Sequence, residues 1–169
     1  KGAQALANAL TSGNCPSGLD LILSYNDIGD KGTQALADAL ALGKCPSGLE
    51  LDLSGNEIGD NSAHAFAEAL ISGKCPTGLK LDLITNNIGD IGIQALAEAL
   101  VSGHCPSGLQ LCLDWNGDKG AHAFAEALAS GQCPSGLKLE FLCDNIIGDK
   151  GSQAFARALM SGNCPSGLE

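Results

Sequence analysis

The chain is poor in positive charge and in aromatic residues. Arg157 is its single arginine, and nine basic residues stand against nineteen acidic ones, for a net charge of −10. A nucleic-acid binder needs a stripe of lysine and arginine to displace counterions, so that class is disfavoured. No apolar run is long enough and uninterrupted enough to cross a bilayer, and no membrane partner is expected. One Trp, one Tyr and four Phe cannot fill the core of 169 residues, which leaves alanine, leucine and glycine to do it. With 44% of residues hydrophobic and 17% charged, the balance is too apolar for a disordered tail. Length and composition predict one globular domain over residues 1–169. Eight cysteines fall short of the roughly 8–10% that marks a disulfide scaffold.

The placement of those cysteines is more informative than their number. Cys15, Cys45, Cys75, Cys105, Cys133 and Cys164 follow one another at steps of 30, 30, 30, 28 and 31, each leading into Pro, Ser or Thr, then Gly-Leu. A fixed period of this size marks a repeat array. Within a unit, leucines such as Leu49, Leu51 and Leu53 alternate with other residues, the spacing of one strand face. An Asn follows (Asn26, Asn56, Asn86, Asn116), then Ile-Gly-Asp in three units, then a stretch such as TQALADAL with helical spacing. Asp30, Asp60, Asp90, Asp118 and Asp149 fall where a helix cap or first-turn acid belongs. Gly13, Gly43, Gly73, Gly103, Gly131 and Gly162 fall where a left-handed C-terminal cap belongs. The pattern predicts five short strands alternating with six helices, in about 5–6 repeats of 28–31 residues.

The run LxLxLSxNxIGDxGxQALAxAL resembles the leucine-rich repeat family, and its length and helix resemble the ribonuclease-inhibitor-like subtype. That subtype also occurs in cytosolic nucleotide-binding receptors and some bacterial effector proteins. The resemblance covers all 169 residues and implies an α/β fold: a right-handed solenoid arc, parallel sheet on the concave side, helices on the convex side. Short strands with long crossovers suit a parallel sheet independently. One departure is that Gly18, Gly48, Gly78 and Gly108 stand where the family pattern has its first leucine, with Leu one position later, so a slight shift of the strand edge is expected. The Asn column should form a ladder satisfying backbone groups at the turn, with Asp144 or Asn145 in that role in the fifth unit.

No residue set points to catalysis, and the chain reads as a non-enzyme. The serines of CPSG recur with the repeat and lack a partnered base. Gly29-Asp30-Lys31-Gly32 and its equivalents contain neither a phosphate-loop lysine nor a GxGxxG run. The repeat cysteines read as a column of free thiols packed as small hydrophobes. Without CxxC or paired histidines, a zinc site has little support, so neither metal nor cofactor is expected. Cys112 and Cys143 leave the column and are predicted to point outward, which favours a reducing cytoplasm, or a host cytosol if the chain is a secreted effector. His64 and His122 take the position of Gln4, Gln34, Gln94 and Gln153 and read as solvated helix residues, while His104 reads as lying in a last helical turn.

Function in such an array belongs to positions that vary over a constant framework. Outward strand positions read Asp20, Glu50, Lys80, Gln110, Lys138, then Ile22, Asp52, Asp82, Cys112, Glu140. The turn that follows reads Tyr25, Gly55, Thr85, Trp115, Cys143, and beyond the Asn come Asp27, Glu57 and Asn87. Acids crowd the first three units, and the only Tyr and Trp share one column, on the order of 15 Å apart at ordinary strand spacing. Aromatic anchors amid charge suit a protein interface. The candidate partner-binding set is therefore Trp115, Tyr25, Asp52, Asp82, Glu50 and Glu57, facing a protein with a basic surface. Three alternatives stay open: regulation of an enzyme in a ribonuclease-inhibitor-like or GTPase-activator-like role, ligand sensing within a larger receptor or effector, and a purely structural spacer. No polar capping repeat is evident at either end, which predicts either a fragment or end-to-end self-association. The fourth unit lacks two residues after Asn116, where the first three supply a variable residue and Ile28, Ile58 or Ile88 before Gly-Asp.

Overall fold

A computed structural model describes residues 1–114, 117–141 and 147–169. Among them, helices α1 (Gly2–Leu10), α2 (Gly29–Ala41), α3 (Asp60–Ile71), α4 (Asp90–Leu100), α5 (Asp118–Ala129) and α6 (Asp149–Met160) alternate with short strands. The strands are β1 (Asp20–Ile22), β2 (Glu50–Asp52), β3 (Lys80–Asp82), β4 (Gln110–Leu113) and β5 (Lys138–Phe141). They form one parallel sheet in the order β1-β2-β3-β4-β5, with α2, α3, α4 and α5 as the crossovers between consecutive strands. Register advances by one unit at every step, so Asp20 pairs with Glu50, Glu50 with Lys80, Lys80 with Gln110 and Gln110 with Lys138. The alternation and order expected from the sequence are what the chain adopts, an α/β leucine-rich repeat fold.

Leucines on the inner strand face meet the helices in a continuous core. Leu49, Leu51, Leu53, Leu79, Leu81, Leu109 and Leu111 are fully buried against Leu36, Leu40, Phe66, Leu70, Leu96, Leu100 and Phe124. Alanines at Ala39, Ala69, Ala99 and Ala127 let successive helices approach closely where larger side chains would hold them apart. Toward the last units of this core Phe124, Phe141 and Phe155 contact edge to face at centroid distances of 5.9 and 6.3 Å.

Glycine ends each helix as the sequence predicts, Gly13, Gly43, Gly73, Gly103, Gly131 and Gly162 all having φ between +70° and +78°. The departure from the leucine pattern has a specific cause. Gly48 has φ +66°, and a Cβ there would lie 3.4 Å from the Cα of Gly18. Its N–H donates to Thr77 C=O at 2.8 Å, and the equivalent bonds recur from Gly18, Gly78, Gly108 and Gly136 to the unit after each. This column is a glycine ladder in which each backbone bonds to the next, a closer fit than the slight edge shift expected.

The Asn ladder is present at Asn26, Asn56 and Asn86. Asn56 is fully buried, its Oδ1 accepting N–H of Asn26 and Ile28 while its Nδ2 donates to C=O of Leu23, Leu53 and Ser54. Asn86 repeats all five bonds one unit later. One side chain thus closes its own turn and ties the preceding one to it. Asn116, Asp144 and Asn145 lie outside the described residues.

The aspartates at the helix starts are first-turn acids, as expected, but their hydrogen bonds reach the neighbouring unit instead of capping their own helix. Asp60 Oδ1 accepts N–H of Gly89 at 2.7 Å and of Gly92 at 2.9 Å, and Asp118 Oδ1 accepts N–H of Gly151 at 2.9 Å. Asp30 Oδ1 accepts the Ser62 hydroxyl at 2.7 Å, and Asp90 Oδ2 accepts Lys119 Nζ at 2.9 Å. His104 is a further correction, because α4 stops at Leu100 and His104 lies in the return loop, its N–H donating to Ser102 Oγ.

Candidate protein-binding face

Side chains at alternate strand positions leave the core on the opposite side of the sheet from the helices. Within that face Asp52 and Asp82 are in direct register, as are Glu50 and Lys80. Tyr25, then Glu50, Asp52 and Glu57, then Asp82 lie on three successive units. Trp115 lies outside the described residues.

Each of these groups is held by local geometry. Asp52 Oδ1 accepts both the N–H and the hydroxyl of Ser54, at 3.0 and 2.6 Å, so one oxygen is committed to the turn. Asp82 Oδ1 accepts the Ile84 N–H at 3.1 Å. Burial pushes the Asp82 carboxyl above its ordinary value, and the charges of Asp52 and Glu140 push the same way, while the Ile84 N–H and Lys80 hold it down. Glu50 is exposed and reaches Lys80 at 3.9 Å, a loose pair that removes little of the negative field. Glu57 is exposed in its turn with φ +57°.

Tyr25 has φ +55°, unusual for a bulky residue, and its N–H donates to Ser54 C=O at 2.9 Å. Its ring lies across Gly55, where a Cβ would stand 2.5 Å from Tyr25 Cε1. The missing side chain in the second unit is what lets the tyrosine of the first lie over it. The ring remains 74% exposed, and Ile22 at the end of β1 is 69% exposed. Ile22, a second exposed apolar side chain on the first unit, stands in register with Asp52. It was visible in the sequence as the one apolar residue in a column of acids and a cysteine, and reading for aromatics alone passes over it.

Cys112 requires a correction. It occupies the outward register between Asp82 and Glu140, yet it is only 1% exposed. Its thiol lies 3.5 Å from Glu140 Oε2, and burial, then the Asp82 and Glu140 carboxylates, push its pKa up to about 12. Alternation gave the direction of the side chain but not what covers it. Cys143 lies outside the described residues.

The repeat cysteines are free thiols, half-buried against the core. Each Sγ donates to the alanine C=O of the helix before it, Ala9, Ala39, Ala69, Ala99, Ala127 and Ala158, at 3.2 to 3.5 Å. Burial pushes Cys45 and Cys133 up to about 11 and Cys75 and Cys105 up to about 12, each raised further by a neighbouring thiol in the column. His64 and His122 are exposed helix residues, as expected, and pair with Glu68 and Glu126 one turn on, at 3.5 and 3.2 Å. Among the described residues, no helix is long and apolar enough to cross a membrane.

A family model described as Leucine Rich repeat matches residues 19–37, 49–67 and 79–97. No curated protein matches the chain. Among solved structures, "Leiomodin-1 Actin-Binding Site 2 (ABS2)" is similar with a TM-score of 0.66 and 20% identity, over 92% of this chain and 86% of that one. The matched units and the strand-and-helix order agree on the fold, an α/β solenoid of the leucine-rich repeat type.

Proposed function

We propose that residues 1–169 form a single non-enzymatic interaction domain that binds a protein partner through the sheet face of the first three units. The observation carrying this reading is the pair of exposed apolar side chains, Ile22 and Tyr25, set among carboxylates. Water-exposed apolar anchors with a charged surround are the usual composition of a binding hot spot. Carboxylates at Glu50, Asp52, Glu57 and Asp82 select a partner with a basic surface and speed its approach. Trp115 belongs to the same surface by its column in the sequence. The half-buried free thiols suit a reducing compartment, which supports a cytoplasmic location, or a host cytosol for a secreted effector.

The test is affinity capture with the full chain, compared with Tyr25→Ala and Asp52→Lys. Two defined probes accompany it: a basic ribonuclease, for the ribonuclease-inhibitor-like reading, and monomeric actin, because the similar solved structure is named an actin-binding site. Basic proteins captured by the parent and lost from both variants support the proposal. An unchanged set of captured proteins contradicts it. End-to-end self-association is a separate proposal, supported by a small apolar hollow of about 260 Å³ beside Leu139, Leu159 and Leu168. Sedimentation showing one monomer mass at every concentration removes it.

A further inference from the structure

A wide trough lies on the helical side of the molecule, away from the proposed interface. It is a trough of about 1010 Å³ lined by α4 on one side and α6 on the other, with α5 between them. Its position coincides with the irregular unit: two residues are missing from the connection into α5, and α5 packs far more extensively on α6 than on α4. The apolar part of the lining is made of small side chains, Ala97 of α4 and Val101 at its end with Ala123 and Ala127 of α5.

The walls differ in charge. Glu98 lines the α4 side, its Oε1 accepting Gln94 Nε2 at 2.8 Å. Lys150 and Arg157 line the α6 side, and neither makes an ion pair among the described residues. Arg157 is also the exception in its own column, whose other members are Asn8, Asp38, Glu68, Glu98 and Glu126. The one arginine of an acidic chain has thus been placed in the trough, and guanidinium is the side chain suited to paired hydrogen bonds with a carboxylate.

We propose that this trough is a second docking site, taking an amphipathic helix of a partner protein that sets small apolar residues on the alanine floor and acidic residues against Lys150 and Arg157. Charge supports the helix: the α6 wall carries Lys150 and Arg157 and the α4 wall Glu98, while α5 between them adds Asp118, Lys119, His122 and Glu126. A basic flank on the same helix would face Glu98, which fixes its direction across the trough. The site is independent of the sheet face, so one chain can hold a basic partner on one side and an acidic helix on the other.

The test uses the full chain and a display library of amphipathic helices of about 15 residues, the length at which isolated helices begin to hold together in water. Flank positions are randomised over Glu, Lys, Gln and Ala. Selection should enrich Glu on one flank, and the enriched peptide should bind K150E/R157E at least tenfold more weakly while binding D52K as tightly as the parent. Inserting Asn-Ile after Asn116, which restores the connection length of the first three units, should abolish binding while the circular dichroism spectrum stays native. Enrichment without an acidic flank, equal affinity for K150E/R157E, loss with D52K, or failure to enrich any peptide overturns the proposal. If the insertion variant fails to fold, K150E/R157E and D52K decide alone.

Discussion

At Asn56 a single fully buried side chain makes five hydrogen bonds, whereas Asn26, at the same position one unit earlier, donates one Nδ2 bond from an exposed site. Asn56→Ala should therefore cost about 3 kcal/mol or more in urea denaturation, and Asn26→Ala less than about 1 kcal/mol; equal costs would mean the ladder is not cooperative. Asp82 behaves in the opposite sense. Its pKa is raised in the fold, so the folded state binds the proton more tightly than the unfolded one, and the fold is favoured as pH falls through that raised value. Above it, the carboxylate opposes folding. Asp82→Asn should raise stability at pH 7, with the gain shrinking as the parent's carboxyl protonates in acid, and a loss of stability at pH 7 would contradict this. The thiols make a third case. With values of about 11 to 12, Cys45, Cys75, Cys105 and Cys133 hold about one thiolate in a thousand or fewer at pH 8. Iodoacetamide should label them far more slowly in the native chain than in urea, and equal rates would show them to be open. Sequence periodicity exposed the Asn and Cys columns because each recurs at one fixed place. The burial of Cys112 was not legible, because alternation along a strand assigns a face and is silent about what neighbouring units lay over it.

Between elements, a helix is joined to the next by its first-turn aspartate and by the small residue that receives it. A Cβ at Gly92 would stand 2.8 Å from Asp60 Oδ1, 2.8 Å from Ile88 Cγ2 and 2.9 Å from Ala63 Cβ. Gly92→Ala should cost about 1–3 kcal/mol in thermal or urea unfolding, whereas Gly2→Ala, whose Cβ meets nothing within 4 Å, should be neutral or slightly stabilising. Comparable effects at the two sites would show that the contact at Gly92 is slack. The third unit-start shows the same joint made differently, Ser62 filling the glycine position and donating its hydroxyl to Asp30. The sequence placed every one of these aspartates in a first helical turn correctly. It could not distinguish a bond to the helix's own N–H groups from one to the neighbour's, because a repeat makes the two readings identical in pattern. The fourth unit was legible as irregular, and its setting of α5 relative to α4 was not, since that depends on how the shortened connection is taken up in three dimensions. There the Asp114 carboxylate accepts the Thr85 N–H, which in the earlier units goes from Tyr25 and Gly55 to the backbone C=O of Ser54 and Ile84.

Over the whole molecule, the repeat separates framework from function. Leucine, alanine, glycine and asparagine recur because each unit must fit the next, and residues released from that demand lie on the two broad surfaces. On the sheet side the released positions are acidic around Ile22 and Tyr25; on the helical side the trough gathers Lys150 and Arg157. Strand order, crossover helices and the acidic columns could be read from the repeat itself, but the trough could not, since it arises from the spacing between helices. The central claim is that the sheet face of the first three units is the protein-binding surface. Hydrogen–deuterium exchange of the full chain, alone and saturated with a basic protein captured in the comparison above, tests it most directly. The account predicts slowed exchange in β1, β2, β3 and the turns carrying Tyr25 and Glu57, with the outer helical surfaces unchanged. Protection confined to the helices, or none on β1–β3, would contradict it.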